Sequence, residues 1–198
     1  MAAADPSNAI AVAEHPVPIG TIRTGMNQML QKALTLVDPG SLAEGRLLSQ
    51  HGWELARLGG DYAAAQDAFN RAMTIARDTG DEGLELNTLT RSADVGYLQL
   101  RLVESSMKSM EGVELAVRAN DTYNEATARL SATRAFMLQG EGDEAQTQAS
   151  ALITLAERVR NRFWQLTALI VNSQLACLRG DWSKQRNLAE EALALTSQ

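Results

Sequence analysis

Residues 60–81 read GDYAAAQDAFNRAMTIARDTGD, and the spacing of their apolar side chains decides the fold. Ala65, Phe69, Ala72, Met73 and Ala76 recur at intervals of three and four, which puts them on one face of an α-helix. A Gly-Asp pair stands at each end of the stretch. Glycine tolerates the left-handed backbone that ends a helix, and aspartate caps the N-terminus of the next one. The stretch is therefore one helix with a stop signal before it and another after it.

Reading outward, the same layout returns every 40 residues from residue 41 to the end. Leu58, Leu98, Leu138 and Leu178 form one column, and Ile75, Leu115, Leu155 and Leu195 a second. Ala76, Ala116, Ala156 and Thr196 stand beside the second, while Gly52, Ser92, Ala132 and Asn172 make a column of short residues. Gly60, Gly140 and Gly180 share a turn position, with Leu100 the exception. A fixed period of this length marks stacked supersecondary units, each a helix hairpin. The spacing predicts first helices over 41–58, 82–99, 122–139 and 162–179, and second helices over 62–79, 102–119, 143–160 and 182–197. A leading helix over 21–37, ended by Asp38, Pro39 and Gly40, makes half a repeat. The leucine column is expected to be buried between helices, together with Phe69 and Ile75. Residues 1–18 hold three of the four prolines and no periodicity, so a flexible N-terminal segment is expected there and a helical-repeat domain over 19–198.

Composition narrows the function classes. Aromatic residues make up 5% and long alternating Val, Ile and Thr runs are absent, which disfavours a β-sandwich or barrel. A net charge of −6 with three scattered lysines argues against direct nucleic-acid binding, because phosphate recognition needs clustered Lys and Arg. The apolar runs are too short to span a bilayer, and MAAADPSN does not begin a signal peptide, so a cytoplasmic location is expected. The single cysteine, Cys177, lies among Leu175, Ala176 and Leu178 and is expected to be a buried thiol.

The run Gly60, Asp61, Tyr62, Ala65, Phe69 and Ala72 resembles the tetratricopeptide (TPR) signature across its turn and second helix. The match is partial in the fourth unit, at Gly180, Asp181, Trp182, Leu188 and Ala192, and weak in the second and third. The resemblance implies an all-α fold: a right-handed TPR-like α-solenoid of helix hairpins with about four full repeats plus the leading half-repeat. Units of this length resemble the helical sensor regions of MalT-type, LuxR-family ATP-dependent regulators. That resemblance implies a non-enzymatic interaction or sensor module, which would bind a peptide, a partner domain or a small effector in a concave groove. The alternative is a structural spacer or oligomerisation solenoid of a larger protein.

No catalytic or metal-binding motif stands against that reading. Neither a P-loop nor H-E-x-x-H, G-x-S-x-G or C-x-x-C spacing occurs, and the two histidines, His15 and His51, are isolated. No cofactor and no metal are expected. In TPR-like arrays the first helix of each unit lines the groove, and carrying this over through the turn alignment selects Gln50, Glu54, Arg57, Asn87, Arg91, Asp94, Tyr97, Ser131, Arg134 and Gln174. Arginine's planar fork suits a carboxylate or phosphate on such a surface. The final helix keeps Leu188, Leu193 and Leu195 with no capping helix after it, so one array end is expected to be covered, either by self-association as a homodimer or by further chain.

Overall fold

Capping chemistry fixes where the helices begin and end. Asp61, Asp81, Asp121 and Asn161 accept the backbone N–H three residues on, at 3.0, 2.7, 3.0 and 3.2 Å, and Asp181 does the same for Lys184. Each bond satisfies one of the orphan donors at a helix start. At the other ends the backbone turns left-handed at Gly80, Leu100, Asn120, Gly140, Arg160 and Gly180, twenty residues apart. Leu100 and Arg160 adopt this conformation at φ 57° and 49° despite carrying a Cβ.

The computed structural model describes residues 26–59 and 61–196, with only the backbone at Leu58 and Gly59. The expected flexible segment 1–18, His15, Ile22, Gly60 and the burial of Leu58 lie outside the described residues. All regular structure among the described residues is helical. The chain divides into two compact units between Gln99 and Leu100. The first holds α1 (Met26–Leu34), α2 (Leu42–Glu54) continuing into a π-helical turn (Leu55–Gly59), α3 (Tyr62–Thr79) and α4 (Glu82–Leu98). The second holds α5 (Leu102–Ala119), α6 (Thr122–Gln139), α7 (Gly142–Val159), α8 (Arg162–Leu178) and α9 (Trp182–Thr196). Within each unit consecutive helices pack on one another, and so do the alternate pairs α2 with α4 and α6 with α8.

The boundaries follow the sequence spacing closely, with one early stop. The leading helix ends at Leu34, not at 37: the N–H groups of Thr35 and Leu36 bond the carbonyls of Lys32 and Ala33, three residues back, in a tightened final turn.

Small side chains dominate the cores. In the first unit Ala65, Ala68, Phe69, Ala72, Ile75 and Ala76 bury the inner face of α3 against Leu48, Leu84 and Val95. In the second, Ala145, Ala149, Leu152, Leu155 and Ala156 do the same for α7, with Trp164 and Val171 from α8. Tyr123 and Phe163 meet Trp164 edge-on, at centroid distances of 5.6 and 5.1 Å.

The leucine column is not part of this core. Leu98, Leu138 and Leu178 are 45%, 52% and 64% exposed. The buried stripe of α4 runs through Thr88, Ser92 and Val95, and Leu98 stands six residues beyond Ser92, roughly 240° round the helix. The column recurs in identity without recurring in burial. The column of short residues is the one the fold buries: Gly52, Ser92, Ala132 and Asn172 are all inside. Cys177 is likewise exposed instead of buried, because one step past Ala176 turns it away from the packed face.

Truncation separates the two kinds of leucine in the second unit. Leu152→Ala should cost about 2–5 kcal/mol, whereas Leu138→Ala should stay within about 0.5 kcal/mol, both measured as shifts in urea midpoint at constant slope.

Candidate functional site

Two helices of the first unit, α2 and α4, set one polar strip side by side. On α2 the spacing of Arg46, Ser49 and Trp53 keeps these side chains on a common face, and Arg57 follows in the π-helical turn. On α4 Asn87, Arg91 and Asp94 do the same. Hydrogen bonds tie the helices together along this strip. Arg91 Nη1 donates to Ser49 Oγ at 3.3 Å, Trp53 Nε1 donates to Asp94 Oδ2 at 3.1 Å, and Gln99 Nε2 donates to the Ala56 carbonyl at 3.4 Å. The Arg57 guanidinium lies over the Trp53 ring, 4.6 Å from its centroid, a cation–π contact that braces both side chains.

At the N-terminal end of α4 the strip opens into a cleft of about 130 Å³, lined by Arg46, Ser49, Asn87 and Arg91 and floored by Asp81, Gly83 and Leu84. Arg46, Arg91 and Asp81 are the charged residues of its lining, two guanidinium groups to one carboxylate. The guanidinium fork can hold a carboxylate through two parallel bonds. The room suits one carboxyl-bearing side chain.

The residues selected from sequence divide between the units. Asn87, Arg91, Asp94 and Tyr97 are half-buried on α4, and Arg57 is exposed. Gln50 and Glu54 are not groove residues: both are fully inside, where Gln50 Nε2 donates to Glu54 Oε1 at 3.1 Å. The π-helical turn adds a residue after Glu54 and turns it inward, by about 100°, from the face that Asp94 holds forty residues on. Gln50, in contrast, matches Thr90, which is buried on α4 as well. In the second unit Arg134 is half-buried and Gln174 exposed, whereas Ser131 is buried. Ser131 occupies the position of Arg91 forty residues on, where a long side chain reaches solvent past its neighbours and a short one does not. Arg46, Ser49 and Trp53 were missed. The signal was available in their spacing, had α2 been read without the turn as its reference.

His51 is half-buried on α2, its Nδ1 enclosed without a hydrogen bond among the described residues. Burial pushes its pKa below the ordinary 6.5. Among the described residues no three His, Cys, Asp or Glu side chains converge on a common point. Comparison with known proteins finds no family model that matches this chain and no match among curated proteins.

Desolvated His51 makes stability depend on pH with a definite sign. Its folded pKa lies below the unfolded one, so the unfolded chain takes up the proton first as pH falls. The His51 contribution is therefore fully present above about pH 6.5 and is lost progressively below it. Urea midpoints from pH 7.5 to about 5.5 should fall for the native chain and fall less for His51→Gln; equal slopes would remove His51 as the cause.

Proposed function

We propose that this chain is a non-enzymatic interaction or sensor module, built as a right-handed TPR-like α-solenoid of 40-residue helix hairpins with a leading half-repeat. It resembles the helical sensor regions of MalT-type, LuxR-family regulators and acts in the cytoplasm as part of such a regulatory protein. Its first helices present a binding face to a peptide, a partner domain or a small effector. The left-handed caps twenty residues apart and the packing of α2 on α4 and of α6 on α8 support the hairpin reading.

The observation that carries the function is the cleft of Arg46, Ser49, Asn87 and Arg91, set beside the braced Trp53–Asp94–Arg57 strip. Paired guanidinium groups next to a rigid indole suit a peptide that offers an acidic side chain and an apolar neighbour. Charge selects such a ligand and the aromatic surface anchors it. A second reading, self-association through the C-terminal end, is favoured by α9, which buries Ala192 alone while Trp182 and Leu193 are 65% and 67% exposed.

Panning a random peptide library on the full chain tests the first reading. Enriched peptides should share an acidic residue, and their affinity for the Arg46→Ala, Arg91→Ala double variant should fall at least about tenfold while helicity by circular dichroism is retained. Peptides that bind the double variant as tightly would place the binding face elsewhere.

A further inference from the structure

The second unit repeats one three-helix wedge twice, and the two copies differ in where their cation comes from. In the α5–α6–α7 wedge the cation belongs to the chain. Arg129 Nε donates to Glu125 Oε1 at 2.9 Å and Nη1 donates to Gln148 Oε1 at 2.8 Å, with the arginine side chain only 16% exposed. Arg158 adds a longer ion pair to Glu125 at 3.7 Å. Forty residues on, Gln165, Leu169 and Leu188 replace Glu125, Arg129 and Gln148. Leucine cannot fill the place of an arginine, and the α7–α8–α9 wedge holds a cleft of about 380 Å³.

The walls of that cleft have matched counterparts. Ala156, Ala168 and Leu195 line it, and the residues forty positions earlier, Ala116, Ala128 and Leu155, are all buried. Its rim carries two carboxylates that the upstream wedge lacks, since Glu157 and Glu191 stand where Val117 and Ala151 do. Neither has an ion-pair partner among the described residues. The nearby Arg162 donates instead to the Leu195 carbonyl. A cleft with alanine and leucine on its walls and unpaired acids at its mouth, beside Leu169 where the sister wedge has Arg129, is complementary to a guanidinium on an alkyl stem.

We infer that the α7–α8–α9 cleft binds a small amphipathic cation, a guanidinium or primary ammonium group on a short apolar stem, with the stem against Ala156, Ala168, Leu169 and Leu195 and the charge between Glu157 and Glu191. The volume falls within the usual range of small-ligand pockets. The site lies wholly in the second unit and does not depend on the peptide-binding reading of the first.

Titration of the full chain with n-butylguanidinium, followed by backbone amide shifts, tests this. Saturable shifts should centre on Leu169, Glu191 and Leu195. The neutral isostere n-butylurea should bind at least about tenfold more weakly, and so should n-butylguanidinium to the Glu157→Gln, Glu191→Gln double variant. Both glutamates are exposed, so that variant should fold normally. Leu169→Arg restores the internal cation and should abolish binding with helicity intact. Absence of saturable shifts, equal binding of the urea, or unchanged binding by either variant overturns the assignment. An arginine-bearing apolar peptide that binds more than about tenfold tighter than n-butylguanidinium also overturns it, in favour of a protein partner.

Discussion

Helices in both units come close because the side chains between them are short. A Cβ added at Gly52 would sit 2.9 Å from the Ala65 carbonyl oxygen and 3.0 Å from the Phe69 ring. One at Gly45 would meet Leu84 at 2.5 Å. Along α3, α5 and α7 the buried faces read Ala65, Ser105 and Ala145, then Phe69, Ser109 and Ala149, then Ala76, Ala116 and Ala156. A core of this kind buries little apolar area per residue and gains its stability from many dispersion contacts at short range. An added methyl at Gly45 or Gly52 has no room in it.

That constraint also arranges the polar surface. Where short residues bring α2 and α4 together, the long residues at the edge of the contact face each other, and Trp53, Asp94, Arg91 and Ser49 link across. In the second unit the same geometry admits Arg129 between α6 and α7, held by Glu125 and Gln148. The wedge under α9 lacks that filling, and α9, which among the described residues packs on α8 alone, buries one residue where α3 and α7, each packed on two helices, bury six. Of the two clefts described above, the larger lies in the wedge that lacks the arginine filling.

Helix positions were legible from the chain because their signals are local. Asp81, Asp121 and Asn161 cap the helices that their place before each apolar run implies, and the glycines at 80, 140 and 180 adopt the left-handed geometry that suits them. Leu100 and Arg160 take the same conformation with no local preference for it, so only the spacing pointed to them. Burial was read less well. The leucine column was prominent because leucine is conspicuous, yet Ser92, Ala132 and Asn172 are what the fold encloses. The half-buried polar strip on α4 followed from the turn alignment, whereas the inward position of Glu54 on α2 did not, because a π-helical turn leaves no mark in composition while shifting the face before it. The α9 cleft was invisible as a cavity and visible only as a difference between Arg129 and Leu169 once the two wedges could be compared.

The dependence on short residues is tested most directly at Gly52, where two general effects have opposite signs. Helix propensity alone makes Gly→Ala in a helix interior stabilising by about 1 kcal/mol. Close packing makes it destabilising, because the new methyl meets a backbone carbonyl that cannot swing aside. Equilibrium urea unfolding of Gly52→Ala should show a loss of roughly 1–3 kcal/mol. A midpoint equal to or above that of the native chain would contradict the account.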